Sequence, residues 1–114
     1  MNNTDFSLQH CEPCHKGTTA LTPHESSIWL NALTGWAIDE KNEWLSKAYS
    51  FRNFASALEF VRRIGDIAEQ EGHHPDINLG WGYAKINIQT HALNGLHRND
   101  FILAAKIDKI QKPA

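Results

Sequence analysis

The chain has no apolar run approaching the roughly 20 residues that a membrane-spanning helix needs. It also lacks an excess of either charge. Eleven Lys and Arg stand against 13 Asp and Glu, for a formal net charge of −2. That balance excludes a broad basic field, so charge gives no argument for nucleic acid or a membrane surface as partner. The first ten residues, MNNTDFSLQH, have neither the basic start nor the apolar stretch of an export signal, which predicts a cytoplasmic protein. Cysteine is scarce, and the two present are expected to stay reduced there. Internal repeats and low-complexity tracts are missing as well. What remains is 114 residues, 41% of them hydrophobic, which suits one compact domain with a modest core. Against that plain background, seven histidines are many.

Residues 1 to about 20 are polar and follow no sustained period, and read as a flexible tail before a single domain over 21–114. Thr22, Pro23 and Glu25 form a helix start, with Thr22 as N-cap, Pro23 at the first position and Glu25 completing a capping box. Ile28, Trp29 and Leu33 supply its apolar stripe, and Gly35 stops it. Trp36 to Asp39 and Glu43 to Phe51 read as a β-hairpin. From Asn53 the period changes. Phe54, Ala57, Leu58, Val61, Ile64, Gly65 and Ala68 predict an amphipathic helix ending at Gly72. From Trp81 to Thr90 the pattern alternates, with Ala84, Ile86 and Ile88 on one face and Tyr83, Lys85 and Asn87 on the other. After Asn94-Gly95, a last helix spans about Asn99 to Ile110. Helix, two strands, long helix, one or two strands and helix make an α+β sandwich of two layers.

Glu71-Gly72-His73-His74-Pro75-Asp76 lies where the long helix turns toward a strand, a junction where loops present polar groups on a rigid scaffold. Pro75 holds His74 extended, so the two imidazoles point in different directions. Histidine both gives and takes protons near neutral pH. Glu69, four residues before His73, can hold one imidazole nitrogen. His91, at the end of a strand on its polar face, can join them. On residues alone, an adjacent His pair in a loop is more often solvent-exposed than catalytic. His73, His74, Asp76 and His91 would also suffice as zinc ligands, although no familiar ligand spacing is present. His10-Cys11-Glu12-Pro13-Cys14-His15 contains the attachment pattern of c-type haem, but haem attachment needs export. The six residues are too short for a zinc knot within one chain. They read as a mobile tail with adventitious metal affinity, or as a contact between subunits. Trp36 and Trp81 read as core packing or, for Trp81, as an aromatic wall for a flat heterocycle.

Taken together, Glu71 to Asp76, Thr90-His91, Gly95 to Phe101 and Ala104 to Asp108 resemble the pterin-4a-carbinolamine dehydratase family. The likeness extends over roughly residues 22 to 110. The Trp81-Gly82 pair is more like bacterial members than animal ones, which carry tyrosine there. The animal proteins' second role, as a dimerisation cofactor for a homeodomain transcription factor, is therefore not carried over. The resemblance implies a four-stranded antiparallel sheet with helices packed on one face, assembled as a homodimer or homotetramer. It implies dehydration of 4a-hydroxytetrahydropterin to quinonoid dihydropterin, which recycles the pterin of aromatic amino acid hydroxylases. No cofactor is implied, because the pterin is the substrate. His73, His74 and His91 would be catalytic. Pro75, Asp76, Thr90, Ala92, Leu93 and Trp81 would line the pterin site, with Glu69 and Asp100 in support. Two other readings stay open: a pterin sensor or hydroxylase partner without turnover, and a zinc protein using Cys11 and Cys14.

Overall fold

The computed structural model describes residues 5–15 and 17–112. The first helix, α1 (Pro23–Leu30), starts where the sequence places it: Thr22 Oγ1 accepts from the Glu25 amide and the Glu25 carboxylate accepts from the Thr22 amide. Its buried side differs from the reading. Ile28 is 58% exposed, while Trp29 turns inward, its ring 4.5 Å from Phe6 and 5.9 Å from Phe101. The helix ends at Leu30 rather than at Gly35.

Phe6 itself lies in the segment set aside as a tail. It is buried, in a short 3-10 turn over Phe6–Leu8, and Ser7, Cys11 and Glu12 of that segment bond to Lys106, Glu71 and Asn99, far along the chain. No local period announces such partners.

Strands β1 (Ala37–Ile38) and β2 (Leu45–Ser50) make the expected hairpin. Asp39 Oδ1 closes its turn by accepting the amides of Glu43 and Trp44. The long helix, α2 (Phe54–Glu71), is capped by Asn53, whose Oδ1 accepts from the Ser56 amide. It ends at Gly72, which adopts φ 65°, a left-handed conformation that favours glycine. Its inward line is Ala57, Phe60, Ile64 and Ala68, whereas Phe54 and Leu58, expected inside, are about half exposed. Phe60, off the stripe read from sequence, packs in tilted contact with Tyr49 and Phe51 instead.

Strand β3 (Asp76–Gly80) follows Pro75 directly and pairs antiparallel with β4 (Tyr83–Ile88). The sheet order is β1-β2-β4-β3, all antiparallel. Leu45, Tyr49, Ala84, Ile86 and Ile88 face the helices, while Tyr83 and Lys85 face outward. The last helix, α3 (Arg98–Asp108), is enclosed: Phe101, Ile102, Leu103, Ala104 and Ile107 are all fully buried. This is the α+β architecture expected, three helices with a four-stranded antiparallel sheet. None of the described helices is long and apolar enough to cross a membrane. The consequence that matters is local. The end of α2, the start of β3, the end of β4 and the start of α3 meet at one edge of the molecule.

Candidate active site

That meeting point is an open cleft of about 480 Å³. His73, His74, Pro75 and Asp76 line it from the turn after α2, and Gln89, Thr90, His91 and Ala92 from the end of β4. His91 sits on a 3-10 turn (His91–Leu93) rather than on the strand, with its ring edge-on to Trp44 at 5.9 Å. The three histidines named from sequence are thus brought to one cavity.

Behind the cleft lies Asp100, wholly buried near the start of α3. Its Oδ1 is 2.6 Å from His73 Nε2. Its Oδ2 accepts from the Thr90 hydroxyl and from the His97 amide, each at 2.9 Å. A buried carboxylate is tolerable only with such partners, and the positive end of α3 favours its charge. Because a carboxylate only accepts, His73 Nε2 carries the hydrogen, which leaves Nδ1 for other chemistry. His97 caps α3 through Nδ1, which accepts from the Asn99 amide at 3.2 Å. Burial holds its imidazole below the ordinary 6.5, against the pull of Asp100.

Glu69 does not hold His73. It pairs with His74, Oε2 to Nε2 at 2.5 Å, because the left-handed turn at Gly72 ends the helical spacing before His73. Both partners of that pair are mostly exposed, so it steers His74 more than it stabilises the fold. Leu93, the last residue of the 3-10 turn, is half-buried and does not line the cleft. Trp81 is 71% exposed in the β3–β4 turn, at the opposite end of the hairpin from His74 and His91, and is likewise not brought to the cleft. Sequence reasoning missed Gln89, which follows β4 and donates to the Glu43 carbonyl. It also missed Cys14, which reaches the cleft from the N-terminal segment. Gln89 carries no spacing signal, and the Cys-x-x-Cys spacing that includes Cys14 points to haem or metal rather than to this cleft.

A larger concavity, about 660 Å³, lies at the other end of α3 around Lys47, Tyr49 and Asp108. It contains no histidine, so size and proton-transfer chemistry point to different places. The chemistry decides for the smaller cleft. Among the described residues, no three His, Cys, Asp or Glu side chains are grouped to hold a metal ion.

Comparison with known proteins agrees with this architecture. The family model described as pterin 4 alpha carbinolamine dehydratase matches residues 19–110. A Methylococcus capsulatus protein named for that dehydratase is 41% identical over 114 residues, covering all of both chains. An Azoarcus protein of the same name is 44% identical, over 93% of this chain and 91% of its own. Among solved structures, a transcriptional coactivator/pterin dehydratase from Brucella melitensis superposes with TM-score 0.74 at 28% identity, covering 79% of this chain and 96% of that one. A pterin dehydratase-like protein described as a RuBisCO assembly factor in the alpha-carboxysome gives 0.56 at 27% identity, covering 65% and 86%.

Proposed function

Since the chain belongs to the pterin-4a-carbinolamine dehydratase family and is a hydro-lyase, we propose that it dehydrates 4a-hydroxytetrahydropterin with His73 and His91 as base and acid. The observation that carries this reading is the Asp100–His73 pair opening onto a cleft shared with His74 and His91. In the reaction, the N5 hydrogen leaves as a proton and the C4a–O bond breaks with its electron pair on oxygen. The N5 electrons form the C4a=N5 double bond. His73, its Nε2–H committed to Asp100, takes the N5 proton on Nδ1. Protonated His91 gives its proton to the departing hydroxide, which leaves as water. His74 binds the hydroxyl and polarises it. Protons then return through solvent, since His91 is exposed. Pro75, Asp76, Thr90 and Ala92 supply the walls.

The same reading makes the substrate the pterin released by aromatic amino acid hydroxylases, and the setting the cytoplasm. It also makes the working form a homodimer or homotetramer. The half-exposed Phe54 and Leu58, with Trp81 and Tyr83 at the hairpin turn, support that assembly as apolar surface in want of a partner. The fold alone does not decide for turnover, because folds host several functions.

The test is the decay of 4a-hydroxytetrahydropterin with and without the protein, in chelator, followed by the absorbance of the quinonoid product. Acceleration that disappears in His73→Ala supports the reading. Unaccelerated decay with folded protein would leave the cleft a pterin-binding site without turnover.

A further inference from the structure

The N-terminal segment over residues 5–14 is held to the body at several points along its length. Phe6 anchors it against Trp29, and the Ser7 carbonyl accepts from Lys106 at 2.8 Å. Glu71, whose side chain is 7% exposed, accepts the Cys11 amide at 2.8 Å and faces His10 Nδ1 at 3.0 Å. Asn99, buried on α3, uses its whole side chain on one residue: Oδ1 accepts the Glu12 amide and Nδ2 donates to the Glu12 carbonyl. Two buried polar side chains thus grip consecutive peptide units, and the chain they hold leads to Cys14 at the wall of the histidine cleft. The two cysteines are unlike. Cys14 is exposed, whereas Cys11 donates to the Asn99 carbonyl and burial, then Glu71, pushes its thiol up to about 12.

We infer that this strap is a wall of the pterin cleft, and that Cys14 contacts the substrate there and selects the substituent that the pterin bears at C6. The inference rests on the dehydratase reading above. In the pterin ring, C6 is bonded to N5, so a substituent at C6 starts one atom from the site of proton removal. If the histidines hold the N5 and C4a edge, that substituent must leave the cleft past a flanking wall. The strap supplies one beside them, and its position there is fixed by Glu71 and Asn99 rather than by chance.

The test uses the full chain and two substrates, the 4a-hydroxy forms of 6-methyltetrahydropterin and of tetrahydrobiopterin, whose C6 group is larger. Iodoacetamide should alkylate Cys14 well before Cys11; sulfur displaces iodide and the thiol proton passes to buffer. Alkylation of Cys14, or Cys14→Leu, is expected to raise KM for the larger pterin by about 10-fold and for the methyl compound by under about 3-fold, with kcat within about 2-fold. Bound 7,8-dihydrobiopterin should protect Cys14 from the reagent. Equal effects on the two substrates, or none, in an enzyme still killed by His73→Ala would overturn the inference and leave the dehydratase reading standing. Absence of turnover in untreated protein sinks the dehydratase reading instead. Protection of Cys14 by the dihydropterin then upholds the wall, and lack of protection removes it.

Discussion

Helix α3 carries an aspartate near each end, and the two are built alike. Asp100 takes His73 Nε2, the Thr90 hydroxyl and the His97 amide. Asp108 takes Trp36 Nε1 and Lys47 Nζ, each at 2.9 Å, and the Tyr49 hydroxyl at 2.5 Å. Each has three donors, and each has a concavity beside it. The difference lies in the donors. At Asp108 the donors are an indole, an ammonium and a phenol, and none is an imidazole. Burial raises the Tyr49 phenol far above its ordinary range, and its bond to Asp108 adds to the effect. The site is a tie between the sheet and the end of α3. At Asp100 one donor is an imidazole, the side chain best suited to give and take a proton. The macrodipole also sets the ends apart, favouring the charge of Asp100 and opposing that of Asp108. A carboxylate with three donors is thus a structural device by default, and it becomes a chemical one when a donor can titrate.

Replacing each aspartate by its amide should break the likeness most sharply. In Asp100→Asn the amide oxygen must serve Thr90 and His97, so the amide nitrogen faces His73. That forces the hydrogen onto Nδ1 and removes the base. Turnover is expected to fall about 10²–10⁴-fold. Asp108→Asn should keep kcat within about 2-fold and cost about 1–2 kcal/mol of stability. Comparable activity loss in both, measured by initial rates beside thermal melts, would erase the distinction.

The histidines sharpen the comparison from the other side. His73→Ala and His91→Ala are each expected to lose about 10²–10⁴-fold in rate. They should differ in stability. His73→Ala leaves a wholly buried carboxylate short of a donor, at a cost of about 1–3 kcal/mol, while His91 is exposed and its loss should leave the melt nearly unchanged. Equal melting temperatures would mean that Asp100 does not depend on His73.

Much of this was legible where the determinants are local. Thr22, Glu25, Asn53 and Gly72 set helix ends within one turn, and the alternation from Tyr83 to Ile88 gave the buried face of β4. The cleft's histidines were legible through the family resemblance, since periodicity alone leaves a His pair ambiguous. What could not be read depends on partners distant in sequence. Ile28 is left outside while Trp29, read on the same stripe, packs inward against Phe6, 23 residues earlier. Asp100 takes His73 from 27 residues away, while Glu69, the near neighbour in sequence, is left with His74. Trp81 lies in the hairpin turn, away from the cleft, and its residue type does not announce that place.

A smaller test stays at the structural end. Tyr49→Phe removes one donor from Asp108 but leaves Lys47 and Trp36, and should cost about 1 kcal/mol with turnover unchanged. A larger loss, or any change in kcat, would give the Asp108 tie a part in the chemistry.

The smallest effect is a pH dependence confined to the Asp100 end. His97 is held neutral by burial, with a folded pKa below its ordinary 6.5. The unfolded chain therefore binds the extra proton first, so the stabilisation is present above 6.5 and is lost as pH falls through the lower, folded value. Protonation also takes away the Nδ1 lone pair that caps α3 through the Asn99 amide. His97→Asn can still cap a helix without titrating. Its melting temperature should fall less than that of the unaltered protein between pH 7.5 and 5.5. Asp108→Asn should leave that fall as it is, because no donor at that end changes charge in the interval. If the Asp108 variant flattened the curve and the His97 variant did not, the proton-sensitive end of α3 would be the one assigned here to structure alone.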